Sequence, residues 1–282
     1  MKPKVIAVVG ATASGKTALA IQLAKELNGE VVSADSRLVY KGFNIAAAKP
    51  DMEERQGVPH HLIDIVEPEF DYSAGNYHDD ARNAIYDIIS RGKTPIVAGG
   101  TGLYFRILLE NYNLPRVEAD YKLREILDLR EKEELLEELK LLDKITYERL
   151  KDSNKRRIVR ALEVIKLLNK PISEMEIQKE PEFDVAWKMP PLTSREDLYE
   201  RINKRVDIML EKGLVDETKF LLKKHGRIKN FVSTIGYQEI LTYLDGEASL
   251  EEAVDKLKQH TRNYAKRQLT WFRRNPELLI NI

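Results

Sequence analysis

Eight residues near the start of the chain, Gly10-Ala11-Thr12-Ala13-Ser14-Gly15-Lys16-Thr17, carry the spacing G-x-x-x-x-G-K-[ST]. The glycines let the backbone amides around Thr12, Ala13 and Ser14 curl toward an anion. The start of the following helix adds a partial positive charge, Lys16 adds a full one, and the Thr17 hydroxyl is placed to ligate a magnesium ion. The chemistry indicated is capture of a phosphate or diphosphate group. Two more candidates follow apolar runs. Asp35-Ser36 ends Glu30-Val31-Val32-Ser33-Ala34, where Asp35 either faces the phosphate loop or caps the next turn. Thr101 lies in Gly99-Gly100-Thr101-Gly102 after Thr94-Pro95-Ile96-Val97-Ala98. A phosphoryl-transferring protein of this type usually has a magnesium-ligating acid at that strand end. Glycines and a threonine there point instead to displacement of a diphosphate by a weak nucleophile, with Asp35 accepting the proton.

These residues need strands that end at one edge. Val5–Val9, Glu30–Ala34 and Thr94–Ala98 read as buried parallel strands, alternating with helices over Ala18–Ala24, Ser73–Ser90 and Leu103–Glu110, with Gly29 as the stop of the first. Residues 37–68 read as a long functional loop. Its tandem His60-His61 suits a structural role better than a metal, because adjacent side chains diverge and no second ligand cluster appears. Residues 113–190 are densely charged and helical, with a stripe of Leu127, Leu135, Leu136, Leu139, Leu142 and Ile145 and a strand signal only near Phe183–Trp187. After Pro190-Pro191, Ser194 reads as the cap of a helix with Leu198, Ile202, Val206 and Met209 inward. On it Arg195, Arg201 and Arg205 either clamp an anion or pair with Glu196, Glu200 and Asp207. The expected fold is α/β: a P-loop NTPase-like parallel-sheet core of residues 1–112 and 191–282, with a helical insertion domain over 113–190.

Charge placement suggests a second, longer ligand. The 46 basic and 46 acidic residues of the 282 cancel. Yet Lys256–Arg274 holds seven cations, including Arg262, Lys266 and Arg267, with Tyr264, Trp271 and Phe272 interleaved and no acid. One-sign charge with aromatics on one helix reads as a polyanion track. There is no cysteine, which excludes disulfides and thiolate chemistry. No apolar stretch is long enough to span a bilayer, and Met1-Lys2-Pro3-Lys4 runs into a strand too short for a signal peptide, so a cytoplasmic enzyme without a membrane partner is expected. No stretch of the sequence marks an oligomer interface, and a monomer is expected. Three classes fit: a transferase releasing diphosphate, an ATP-using small-molecule kinase, and a nucleotide-gated RNA binder.

The chain resembles the bacterial tRNA isopentenyltransferase (tRNA dimethylallyltransferase) family. The resemblance is carried by residues 10–17, by Asp35-Ser36-Arg37-Leu38-Val39-Tyr40-Lys41-Gly42, by residues 57–64, by Gly99–Tyr104, by Arg157-Ile158-Val159-Arg160-Ala161-Leu162-Glu163-Val164, by Ile235-Gly236-Tyr237 and by Tyr264–Arg273, in the family's order. It implies transfer of a dimethylallyl group from dimethylallyl diphosphate to the exocyclic amine of the adenine 3′ of the anticodon, with Mg2+. It makes Asp35 the general base and Thr101 a contact to the reacting adenine and leaving group. Gly10, Thr12, Ala13, Ser14, Gly15, Lys16, Thr17 and Arg195 become diphosphate ligands. Asp35, Ser36, Arg37 and Leu38, then Arg156, Arg157 and Arg160, then Ser233, Gly236 and Gln238 become contacts to the tRNA anticodon stem-loop, joined by Arg262, Lys266 and Arg267. Two departures stand out: Ala46-Ala47 where the family has Gly-Thr, and Ser153-Asn154 where it has Asn-Asp.

Overall fold

The computed structural model describes residues 2–112, 115, 117–175, 180–191, 194–275, 277 and 278. Residue 113, where the insertion was expected to start, and Leu192-Thr193 lie outside them. The strands are β1 (Lys4–Val9), β2 (Gly29–Ala34), β3 (His60–His61), β4 (Thr94–Gly99) and β5 (Asp184–Lys188). The helices, in chain order, are α1 (Lys16–Glu26), α2 (Ala74–Ser90), α3 (Gly102–Leu109), α4 (Tyr121–Asp128), α5 (Lys132–Leu142), α6 (Lys144–Leu150), α7 (Lys155–Leu168), α8 (Arg195–Glu211), α9 (Leu214–His225), α10 (Lys229–Val232), α11 (Tyr237–Leu244) and α12 (Leu250–Phe272).

The strands form one parallel sheet in the order β3-β2-β4-β1-β5. Its inner strands are nearly continuous apolar runs, Val5, Ala7, Val8 and Val9 in β1 and Ile96 and Val97 in β4, as burial on both faces requires. Register sets up the site. Gly99 pairs with Val9 on one side and with Ala34 on the other, so the turns after β1, β2 and β4 leave the same edge side by side. That edge is where open α/β sheets hold ligands.

Chain folding divides into two compact units, Met1–Leu108 with Glu182–Ile282, and Leu109–Pro181. Residues 184–188, expected within the insertion, instead complete the sheet as β5 beside β1, with Lys4 opposite Asp184 and Val8 opposite Lys188. Their half-exposed alternation is that of an edge strand, a weaker signal than the buried runs. Gly29 does not stop α1. Asn28 takes the left-handed turn, and Gly29 opens β2 where a Cβ would lie 2.7 Å from the Thr94 carbonyl. The start of the long loop is packed: Val39, Tyr40 and Phe43 join Leu214, Phe231, Tyr237, Ile240 and Leu257 in a second apolar centre built on α9 to α12.

The second unit packs Leu127, Leu135, Leu139, Ile158, Leu162 and Ile165 together, whereas Leu142 and Ile145 of the expected stripe are exposed. In this unit the fully buried carboxylate of Glu163 accepts from the Asp120 amide at 2.7 Å and Arg124 Nε at 2.9 Å, and pairs with Arg160.

Candidate active site

The phosphate loop has the backbone its sequence demands. Gly15 has φ +91°, a left-handed conformation that costs glycine little, while Ala13 is held at φ +61°, an unusual state for a residue with a Cβ. The buried Ser14 hydroxyl has no protein partner among the described residues. A buried polar atom without a partner is costly unless a ligand completes it, and it sits where the motif places phosphate oxygens.

Lys16 Nζ donates to the Ala11 carbonyl at 2.5 Å. Burial, reinforced by the nearby Arg205 guanidinium and opposed by Asp35, pushes the Lys16 ammonium down to about 7. Arg205 is itself lowered by burial, with Asp35 next in influence and opposing. Lys16, Asp35 and Arg205 thus share one electrostatic neighbourhood at the sheet edge. α8 reaches it by packing Leu198 and Ile202 against Ala11, Ala265 and Leu269, with Ser194 capping the helix through the Asp197 amide at 3.0 Å. Arg195 is the first residue of α8 and is exposed; Arg201 pairs with Asp197 at 2.9 Å.

Asp35 does both things its sequence allowed. Its Oδ1 accepts from the Arg37 amide at 2.9 Å, which leaves the second oxygen for a proton. Thr101 closes the other side: its hydroxyl accepts from the Ser36 amide at 3.1 Å, and its own amide donates to Ala34 at 3.1 Å. Burial together with the Asp35 charge, opposed by neighbouring Thr101, pushes the phenol of Tyr264 on α12 up to about 12. Gln268, one turn on, accepts from the Thr12 amide at 2.8 Å and donates to the Gly100 carbonyl at 2.9 Å. Trp271 covers Gly102, where a Cβ would lie 2.2 Å from the indole. The same helix that carries the basic run therefore floors the site. In the sequence Tyr264 stood only as one of the aromatics of the polyanion track and Gln268 with no role attached; their helical spacing of four was the available signal. Arg205 was one of three candidate arginines, and only its burial distinguishes it.

The remaining candidates are dispersed. Arg37 Nη1 donates to the Asn230 carbonyl at 3.4 Å, and Ser36 and Leu38 are half-buried beside Asp35. Ser233 and Gln238 are exposed; Gly236 is buried at φ +106°, its amide donating to Glu239 at 2.7 Å, and a Cβ there would meet Ala46 at 2.8 Å. Glu217 accepts from the Ile45 amide at 2.9 Å and the Tyr237 hydroxyl at 2.7 Å, fixing the Ala46-Ala47 turn. Lys266 and Arg267 are exposed on α12, Arg267 over the Tyr264 ring, whereas Arg262 is bound to Asn203 at 2.7 Å.

In the second unit, Arg156 and Arg157 are exposed in the first turn of α7, while Arg160 is engaged by Glu163 and by the Val117 carbonyl at 2.8 Å. Asn154 caps that helix by accepting from the Arg157 amide at 3.2 Å, so its amide oxygen does a carboxylate's capping work. His60-His61 is structural, with His61 on Glu30 at 2.7 Å and His60 on the Val58 carbonyl at 2.8 Å. Among the described residues no group of three or more His, Asp or Glu forms a metal site, and no helix is long and apolar enough to cross a membrane.

A family model described as IPP transferase matches residues 38–275. A tRNA dimethylallyltransferase of Acetivibrio thermocellus is 46% identical over 278 residues, 96% of this chain and 88% of the relative. Among solved structures, a tRNA delta(2)-isopentenylpyrophosphate transferase of Staphylococcus epidermidis matches with a TM-score of 0.70 at 42% identity, over 96% of this chain and 90% of that one. A eukaryotic dimethylallyltransferase acting on tRNA matches with a TM-score of 0.83 at 32% identity, over 96% and 70%. The family model starts after the phosphate loop and Asp35.

Proposed function

The chain belongs to the IPP transferase family, and from that premise we propose that it transfers a dimethylallyl group from dimethylallyl diphosphate to tRNA, at the exocyclic amine of the adenine 3′ of the anticodon. One observation carries the reading: the register of β1, β4 and β2 brings the Lys16 loop, Thr101 and Asp35 out at one edge, with no acid at the end of β4. The adenine nitrogen attacks C1 of the dimethylallyl group as the C1–O bond breaks. Its electron pair leaves on the diphosphate, and the amine proton passes to the free oxygen of Asp35. The loop amides, Ser14, Lys16 and Arg205 hold the charge that develops on the leaving oxygen, with Arg195 at the mouth of α8 as a further ligand. An adenine amine stacked in an anticodon loop must be extracted before it reacts. Exposed Lys266 and Arg267 of α12, and Arg156 and Arg157 of the inserted unit, supply cations for the RNA backbone.

Mg2+ fits this arrangement as an ion that arrives with its diphosphate. The exposed Thr17 hydroxyl offers one protein oxygen and the ligand supplies the others, which agrees with the lack of a carboxylate cluster among the described residues. Bound there it would neutralise charge on the departing diphosphate. The deciding experiment is incubation with undermodified tRNA, dimethylallyl diphosphate and Mg2+, followed by mass analysis of the anticodon-loop fragment. A gain of one dimethylallyl group on the adenine is expected. Unchanged RNA alongside phosphorylation of a small metabolite by ATP would replace the reading with that of a kinase.

A further inference from the structure

Gln268 is buried on α12, with both ends of its amide engaged across 256 and 168 residues of sequence. Thr12 belongs to the phosphate loop after β1, and Gly100 to the turn after β4 that carries Thr101. The first presents an N–H and the second a carbonyl. Only a side chain with an acceptor and a donor on one planar head satisfies both, which glutamine does and neither a carboxylate nor an apolar chain can. The fit is close: a Cβ on Gly100 would lie 2.0 Å from Gln268 Nε2.

We infer that Gln268 is a positioning residue for the group transfer. It holds the Thr12 amide and the Gly100 carbonyl at a fixed separation, and through them the phosphate-facing loop and the Thr101 hydroxyl. The side that binds the leaving diphosphate and the side that receives the adenine are thereby set against each other by one amide. It does so from the helix whose exposed face offers Lys266 and Arg267 to a polyanion. The inference rests on the transfer reading above.

Gln268→Met removes both hydrogen bonds at similar volume. Gly100→Ala disturbs the same contact from the opposite side, at a backbone position without a positive φ. Three readouts apply to each: kinetics with dimethylallyl diphosphate and undermodified tRNA, calorimetry with inorganic diphosphate and Mg2+, and tRNA affinity by filter binding. With two buried backbone groups left unpaired and the loops released, kcat falls about tenfold or more. Diphosphate binding weakens, while tRNA affinity stays within about twofold of wild type. Because both changes break one contact, the double variant loses little more than the worse single variant.

A folded Gln268→Met enzyme with wild-type kcat and diphosphate affinity overturns the inference. So does an equal fall in diphosphate and tRNA binding, or a double variant whose losses multiply. Should Gln268→Met not fold, Gly100→Ala carries the same test. If the wild-type protein transfers no prenyl group, the transfer reading fails, and the diphosphate calorimetry still decides whether Gln268 sets the loop.

Discussion

Lys16 gives the sharpest handle on the diphosphate site. In the free protein its ammonium titrates at about 7, because burial and the Arg205 charge both disfavour it. A bound diphosphate brings negative charge against it and lifts it well above the neutral range. Affinity therefore scales with the fraction of free protein in which Lys16 is charged, about 0.9 at pH 6 and about 0.1 at pH 8. That is a loss of about tenfold, or about 1.4 kcal/mol, over two pH steps. Calorimetric titration of dimethylallyl diphosphate without tRNA, at pH 6, 7 and 8, measures it. The ligand's own ionisation cancels in the ratio to Lys16→Arg, whose guanidinium stays charged throughout. The free protein responds in the opposite sense. Its folded state binds fewer protons than the unfolded chain between about pH 7 and 10.5, so this lysine adds stability as pH rises through that window. A wild-type to Lys16→Arg affinity ratio that is flat from pH 6 to 8 refutes the reasoning.

Asp35→Ala should abolish dimethylallyl transfer while tRNA affinity, measured by filter binding, stays near wild type; retained turnover would remove Asp35 as the base. Replacing Lys266 and Arg267 with alanine should weaken tRNA binding and reduce the slope of log affinity against log salt by up to about 2, one for each lost phosphate contact. An unchanged slope would exclude the exposed face of α12 from RNA contact. At the opposite end of β2, buried Glu30 accepts from Arg91, Lys93 and His61, and the Arg91 hydrogen bond above all holds its carboxyl well below the usual carboxylate range. Glu30→Gln should lower stability by about 2 kcal/mol, about 3 °C in Tm, with turnover at permissive temperature unchanged. The depressed carboxyl contributes stability above its unfolded value and loses it on acidification, so the gap between the two proteins should narrow as pH falls below about 4.5. A gap that widens in acid would contradict the assignment.

Much of the site is legible from short stretches of chain. The phosphate loop is eight contiguous residues whose glycines, lysine and threonine act through local backbone geometry, and the apolar runs before it and before Asp35 and Thr101 state that strands deliver them. The inward face of α8 follows from a period of 3.6, and all four of its expected apolar positions are buried. What no local pattern could decide is which side chain meets which. Arg205 and Arg201 look alike on one helix, yet burial draws the first into the electrostatics of Lys16 while the second pairs with Asp197. Arg160 reads as a free cation beside Arg156 and Arg157 until Glu163 claims it. Residues 184–188 join the sheet because β1 has an open edge, not because their own pattern is strong. Gln268 acquires its partners only when α12 returns to residues 12 and 100. Local conformation answers to neighbours a few residues away and is written along the chain, whereas hydrogen-bond and charge partners are set by which distant surfaces the packing of the core brings together.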